Sequence, residues 1–144
     1  MNYTQGKRFL DTNVLFYSCD TSDAIKHQKA LNLIAECSRD NSGVLSVQVL
    51  GEFFHATVVR KKLLTAEEAE RAVMAFRSAM KCASIEPQDV FDAIEVHRRY
   101  QTRYWDSLII AIAARLECIE ILSEDLNDGQ THMGVLVSNP FRVE

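Results

Sequence analysis

The chain has 144 residues, of which 47% are hydrophobic and 25% charged. That is the balance of an ordinary globular protein with enough chain to bury a normal core, and residues 1–144 read as a single domain. A net charge of −4, from 20 acidic and 16 basic residues, argues against a protein that coats nucleic acid through a uniformly basic surface.

The longest apolar run, residues 108–114, is far too short to cross a bilayer, and residues 1–8 are polar with no signal-peptide core. A cytoplasmic location with no membrane partner is therefore expected. Cys19, Cys37, Cys82 and Cys118 are scattered, without the short spacing of a zinc site, and read as reduced, mostly buried thiols.

In chain order, Arg8-Phe9-Leu10 predicts a first strand, stopped by Asp11-Thr12-Asn13 in a loop. An amphipathic helix is expected over residues 22–39, from the apolar positions Ile25, Leu31, Leu33, Ile34 and Cys37, with Thr21 or Ser22 as its cap. A second strand is expected at residues 43–46, followed by a helix over 47–62 that carries Glu52 about one turn inside it. Thr65 and Glu68 have capping-box spacing and open a helix running to about Lys81. Ile85 is expected in a short buried strand, and Pro87 in the first turn of a helix that reaches Tyr100. The next helix, from Trp105 to about Glu117, is apolar on nearly every side and so central, with Trp105 packed in the core at its start. Strands at residues 119–123 and 134–137 complete an α/β protein with a mostly parallel sheet.

Four carboxylates stand at the edges of apolar runs: Asp11, Glu52, Asp106 and Asp125. Such flanks draw carboxylates inward, where they lose hydration and repel one another unless a cation compensates. Oxygen-only donors point to Mg²⁺ or Mn²⁺. Asp11 and Asp125 both follow predicted strands, and open α/β sheets place their sites outside the carboxyl ends of strands. Two such ions can bind the attacking and leaving oxygens of a phosphodiester displacement. With the four acids set apart, 16 acidic residues remain against 16 basic ones. The basic clusters Arg60-Lys61-Lys62 and Arg98-Arg99 with Arg103 are candidate phosphate contacts, or else solvated helix ends. Trp105 beside Asp106 is also a candidate for stacking on a base. His27, His55, His97 and His132 read as surface or packed residues, since metal-activated water needs no histidine base.

Taken together, Phe-Leu-Asp-Thr-Asn-Val-Leu at 9–15, Leu-Ser-Val-Gln-Val-Leu-Gly-Glu-Phe-Phe at 45–54, Tyr-Trp-Asp-Ser-Leu-Ile-Ile-Ala at 104–111, Leu-Ser-Glu-Asp-Leu at 122–126 and the closing Val-Ser-Asn-Pro-Phe at 137–141 resemble a PIN-domain ribonuclease. Within that group the chain is similar to the VapC-type toxins of bacterial toxin–antitoxin pairs. The resemblance implies a three-layer α/β fold around a mostly parallel sheet. It also implies an Mg²⁺- or Mn²⁺-dependent endoribonuclease held inactive by a cognate antitoxin, with a homodimer as the suggested assembly. Asp11, Glu52, Asp106 and Asp125 take the places of the four acids, and Thr12, Asn13 and Ser123 those of the supporting polar residues. Asp11, Asp106 and Asp125 are expected as direct metal ligands, with Glu124 or Asp128 as further carboxylates near the fourth acid.

Two other readings compete. A haloacid-dehalogenase-type aspartyl phosphotransferase also begins with a strand and an Asp, but it wants a second Asp where this chain has Asn13. A catalytically silent RNA- or antitoxin-binding module would be expected to lack one or more of the acids, and all four are present.

Overall fold

The computed structural model describes residues 6–142. Most of the polar start (residues 1–5) and the last two residues lie outside them.

Strand β1 (Lys7–Leu10) ends in Phe9 and Leu10, both fully buried. Asp11 then caps a helix where a loop was expected: its carboxylate accepts from the Thr12 amide, and α1 (Thr12–Tyr17) follows. Six residues are too few to betray a helical period, but Val14 and Leu15 plug the core and fix it. Helix α2 (Ala24–Arg39) is capped by Asp23, one residue beyond the caps expected. Ala30 and Cys37 form its buried contact with Leu33 and Ile34 beside them, whereas Ile25 and Leu31 face solvent. The sheet side of α2 thus uses small residues for close approach.

Strand β2 (Gly43–Ser46) leads directly into α3 (Val47–Phe54), capped by the buried Ser46 hydroxyl. The helix expected over 47–62 is not uniform. From His55 to Arg60 the backbone widens into a π-helical segment. Thr57 explains the widening: its hydroxyl donates to the Phe53 carbonyl at 2.8 Å and leans on that of Phe54 at 3.4 Å, competing with the regular ladder. Helix α4 (Ala66–Ala79) opens with both halves of the Thr65–Glu68 capping box formed. It ends before Lys81, because Lys81–Ala83 pair with β2 as β3. Ile85, expected in that strand, lies beyond it and is exposed.

Helix α5 (Pro87–Tyr100) packs along α6 (Tyr104–Arg115), in which every residue from Ser107 to Ala113 is buried. The all-round apolar helix is central, as its composition required. Trp105, however, is 58% exposed and not part of the core. Strands β4 (Cys118–Leu122), β5 (Thr131–His132) and β6 (Val135–Ser138) complete the chain. Two residues of β5 carry no alternation that a sequence pattern can register.

The sheet order is β3-β2-β1-β4-β6-β5, parallel throughout except that β5 runs antiparallel to β6. The chain moves outward from β1 first to one side and later to the other. The order therefore reverses between β1 and β4, and a crevice opens beyond their carboxyl ends. The four cysteines are free thiols. No helix among the described residues is long and apolar enough to cross a membrane.

An ion pair between a buried carboxylate and a partly exposed cation locks α5 to α6. Arg115 donates to both oxygens of Asp89, at 2.8 and 3.0 Å, and to the Ser84 carbonyl at 2.9 Å; Asp89 is fully buried. Arg115→Ala leaves that buried carboxylate without its partly exposed cation, a change that costs about 1–3 kcal/mol. Urea unfolding should report a loss of that size, and a loss under about 1 kcal/mol would contradict this role.

Candidate active site

At the sheet reversal the backbone itself delivers the first polar groups. The Asp11 amide donates to the Leu122 carbonyl at 3.0 Å, so the ends of β1 and β4 are tied together just where Asp11 and Ser123 emerge. Asp11 is 3% exposed and Ser123 fully buried. The Asp11 carboxylate accepts from the Thr12 amide at 2.7 Å on one oxygen and from the Ser123 hydroxyl at 2.7 Å on the other. These bonds hold it but do not neutralise it. Burial raises its pKa from 3.8 to about 6; the bonds from Ser123 and Thr12 oppose that shift, and the charges of Asp125 and Glu52 add to it.

Glu52 arrives from α3, where its side chain is pinned by two donors. The Thr12 hydroxyl donates to one oxygen at 2.9 Å and the Gln48 amide to the other at 2.7 Å. Asp125 is exposed and accepts from the Asn13 amide at 3.2 Å; its own backbone amide donates to Ser123 at 3.1 Å. Asn13 and Ser123 thereby join the first and fourth acids in one network. Asp106, in the first turn of α6, is only 14% exposed at its side chain and pairs with Arg103 at 3.2 Å. The bond to Asp106 raises the Arg103 pKa most, and Asp125 and Glu52 add to the effect, so one guanidinium feels three of the acids.

Two cavities flank this cluster. The first, of about 710 Å³, is walled by Thr12, Asn13, Glu52 and Asp125 on its acidic side and by Phe16 and Trp105 among its apolar residues. Arg60, Lys61 and Arg103 supply its cations. The second, of about 670 Å³, shares Arg60, Arg103 and Asp125 and adds Asp106, Gln101 and Asn127. The π-helical segment carries Arg60 to the junction of the two.

Not every candidate converges here. Glu124 turns aside to accept from the Tyr17 hydroxyl at 2.6 Å and to pair with Lys26 at 2.9 Å. Asp128 is held by the Asn139 amide and Arg142, towards the C-terminal segment. Arg98 pairs with Glu95, and Arg99 lies over the Tyr100 ring; with Lys62, they line neither cavity. The sequence reading passed over Gln48, although its i,i+4 spacing to Glu52 is the signal that finds it.

The donor set is one of hard oxygens: carboxylates from Asp11, Glu52, Asp106 and Asp125 and hydroxyls from Thr12 and Ser123. A buried carboxylate without a cation, next to further carboxylates, suits a divalent metal such as Mg²⁺. Among the described residues no three Asp, Glu, His or Cys side chains converge on one point, as an all-protein cage would require. The arrangement matches the open kind of Mg²⁺ site, with one or two carboxylates and several waters.

The raised pKa of Asp11 has a consequence for folding. The stability it confers is complete below pH 3.8 and is lost as the pH rises through about 6, because the fold then holds a charged carboxylate that the unfolded chain hydrates freely. In EDTA, Asp11→Asn should therefore be more stable than the parent at pH 7.5 by on the order of 2 kcal/mol, with the gap closing towards pH 4. Unfolding curves at the two pH values check this; an Asn variant less stable than the parent at pH 7.5 contradicts it.

Comparison with known proteins agrees with this fold. No curated protein sequence matches the chain. Among solved structures, the Mycobacterium tuberculosis toxin VapC20, described as cleaving the sarcin-ricin loop, is 19% identical over 80% of this chain and 87% of its own, with a TM-score of 0.64. VapBC2 from Rickettsia felis, bound to a DNA fragment from its promoter, is 17% identical over 92% of this chain and 97% of that one, with a TM-score of 0.68. A toxin–antitoxin complex from Klebsiella pneumoniae is 17% identical over 95% of this chain and 100% of that one, with a TM-score of 0.67. At such identities the likeness is one of fold. The profile of the PIN domain matches residues 8–130, from β1 to the turn before β5 and across all four acids. The chain belongs to the PIN-domain family.

Proposed function

We propose that this chain is a divalent-metal-dependent endoribonuclease and the toxin of a toxin–antitoxin pair. The observation that carries the reading is Asp11: a carboxylate 3% exposed, at the sheet's reversal point, with its pKa raised further by the charges of Asp125 and Glu52. A fold does not maintain that charge density without use for it. The family, and the toxins among the similar structures, support the same reading.

Of Asp11, Asp106 and Asp125, one or two would bind Mg²⁺ or Mn²⁺ directly and the rest through its waters, with Glu52 completing the pocket. The bound ion would lower the pKa of a water and offset charge on the phosphate. The chain's own residues do the positioning. Ser123 and the Thr12 amide set the angle of the Asp11 carboxylate, and Thr12 and Gln48 set that of Glu52. Asn13 spends its amide on Asp125 and Ser123. This is unlike the second acid of a phosphotransferase, for which Asn13 is the wrong chemistry. Arg60, Lys61 and Arg103 at the cavities would draw in the phosphate backbone, giving binding that weakens as salt rises.

The partners proposed are RNA, an antitoxin protein and a second copy of the chain, in a cytoplasmic setting. One sheet and one core run through the described residues, which supports reading 1–144 as one domain. The test is cleavage of RNA by the purified protein with Mg²⁺, with Mn²⁺ and with EDTA, beside Asp11→Asn. Cleavage that requires the ion and falls by at least about 100-fold in the variant is expected. Cleavage that persists in EDTA, or at parental rate in Asp11→Asn, overturns the proposal.

A further inference from the structure

We infer that the cavity beside the acidic cluster is a stacking subsite in which Trp105 receives an unpaired base of the RNA, next to the phosphodiester placed at the carboxylates. The inference deepens the ribonuclease reading and rests on it.

Trp105 is the chain's single tryptophan. It is left 58% exposed in the first turn of a helix in which every residue from Ser107 to Ala113 is buried. Its position is fixed rather than loose. The Trp105 carbonyl accepts from the Gln48 amide at 3.1 Å, the same amide that holds Glu52, and the ring meets Tyr104 edge to face at 5.0 Å and 76°. The neighbouring residue in the chain is Asp106, so the ring is mounted on the same turn as one of the four acids.

The space it borders is shaped for a planar group. Phe16 and Val47 supply apolar surface, and Gly51 opens the wall: no atom lies within 4 Å of where a Cβ on that residue would stand. Arg60, Lys61 and Arg103 share the lining with the acids Glu52, Glu124 and Asp125. An exposed aromatic face with cations beside it is what a single nucleic acid strand requires, since every base has a π-face and every nucleotide a phosphate. Of the three carboxylates in the same lining, Glu124 is paired with Lys26, and Glu52 and Asp125 belong to the proposed metal site, so the three cations favour a polyanion over an apolar protein segment. A duplex keeps its bases stacked on one another, so the subsite selects unpaired RNA.

The lone tryptophan makes the test direct. Asp11→Asn protein in Mg²⁺ is titrated with a short single-stranded RNA and with a duplex of the same length. Trp105 emission reports stacking, and the anisotropy of an end-labelled strand reports total binding. The single strand should quench the emission by about half or more, and the duplex should leave it nearly unchanged. Read by anisotropy, Trp105→Leu should weaken single-strand binding by about tenfold, while Trp105→Tyr, which keeps an aromatic face, should retain most of it. Gly51→Leu, which fills the open wall, should weaken it similarly. RNA that binds by anisotropy with unchanged emission, and equally well to Trp105→Leu, overturns the subsite and leaves the ribonuclease reading intact. RNA that neither binds Asp11→Asn nor is cut by the parent protein overturns both.

Discussion

A carboxylate buried at the end of β1 is the constraint around which the rest of the site is organised. Asp11 cannot move away, because its backbone amide is bonded to Leu122 and its side chain caps α1. Nor can it be hydrated, being 3% exposed. The surrounding groups share this problem: Ser123 and Thr12 donate to it, and Asn13 links Ser123 to Asp125. All of these are neutral donors. They fix the orientation of the charge and leave its sign uncompensated, which is the state a site needs if its cation comes from outside.

The parallel sheet supplies the geometry. With β1 central and the chain departing to opposite sides, the carboxyl ends of β1 and β4 bring residues 11 and 123 together across more than a hundred residues of sequence. Helix α3, issuing directly from β2, adds Glu52, and α6 adds Asp106 from its first turn. Arg103 is the one cation bonded to these four acids among the described residues, and it does so from an exposed side chain that borders both cavities. The Asp89–Arg115 pair, at the far end of α6, holds that helix against α5 and so keeps Asp106 in place.

Much of this was legible in the sequence because the signals were local. Acids next to apolar runs, a Thr-x-x-Glu capping box and an all-apolar helix each follow from a few adjacent residues, and the sheet class followed from their order. What escaped depends on contacts distant in sequence or on very short segments. Helix α1 and strand β5 are too short to show a period. The π-helical turn hangs on which carbonyl one threonine chooses. Trp105 reads as core by composition, yet it faces a cavity whose other wall is built from α1 and α3. The two basic clusters looked equivalent on the page. The fold splits both, drawing Arg60 and Lys61 from the first and Arg103 from the second to the site and leaving Lys62, Arg98 and Arg99 outside it.

The central claim is that these carboxylates form a metal site, and calorimetric titration with Mn²⁺ at pH 8 and pH 5 tests it most directly. With the Asp11 pKa at about 6, the ion must displace a proton at the lower pH and bind a ready carboxylate at the higher one. The account predicts measurable binding at pH 8, affinity lower by about tenfold at pH 5 with proton release on binding, and loss of the pH effect in Asp11→Asn. Affinity that is equal at the two pH values, or binding unaltered by Asp11→Asn, would contradict it.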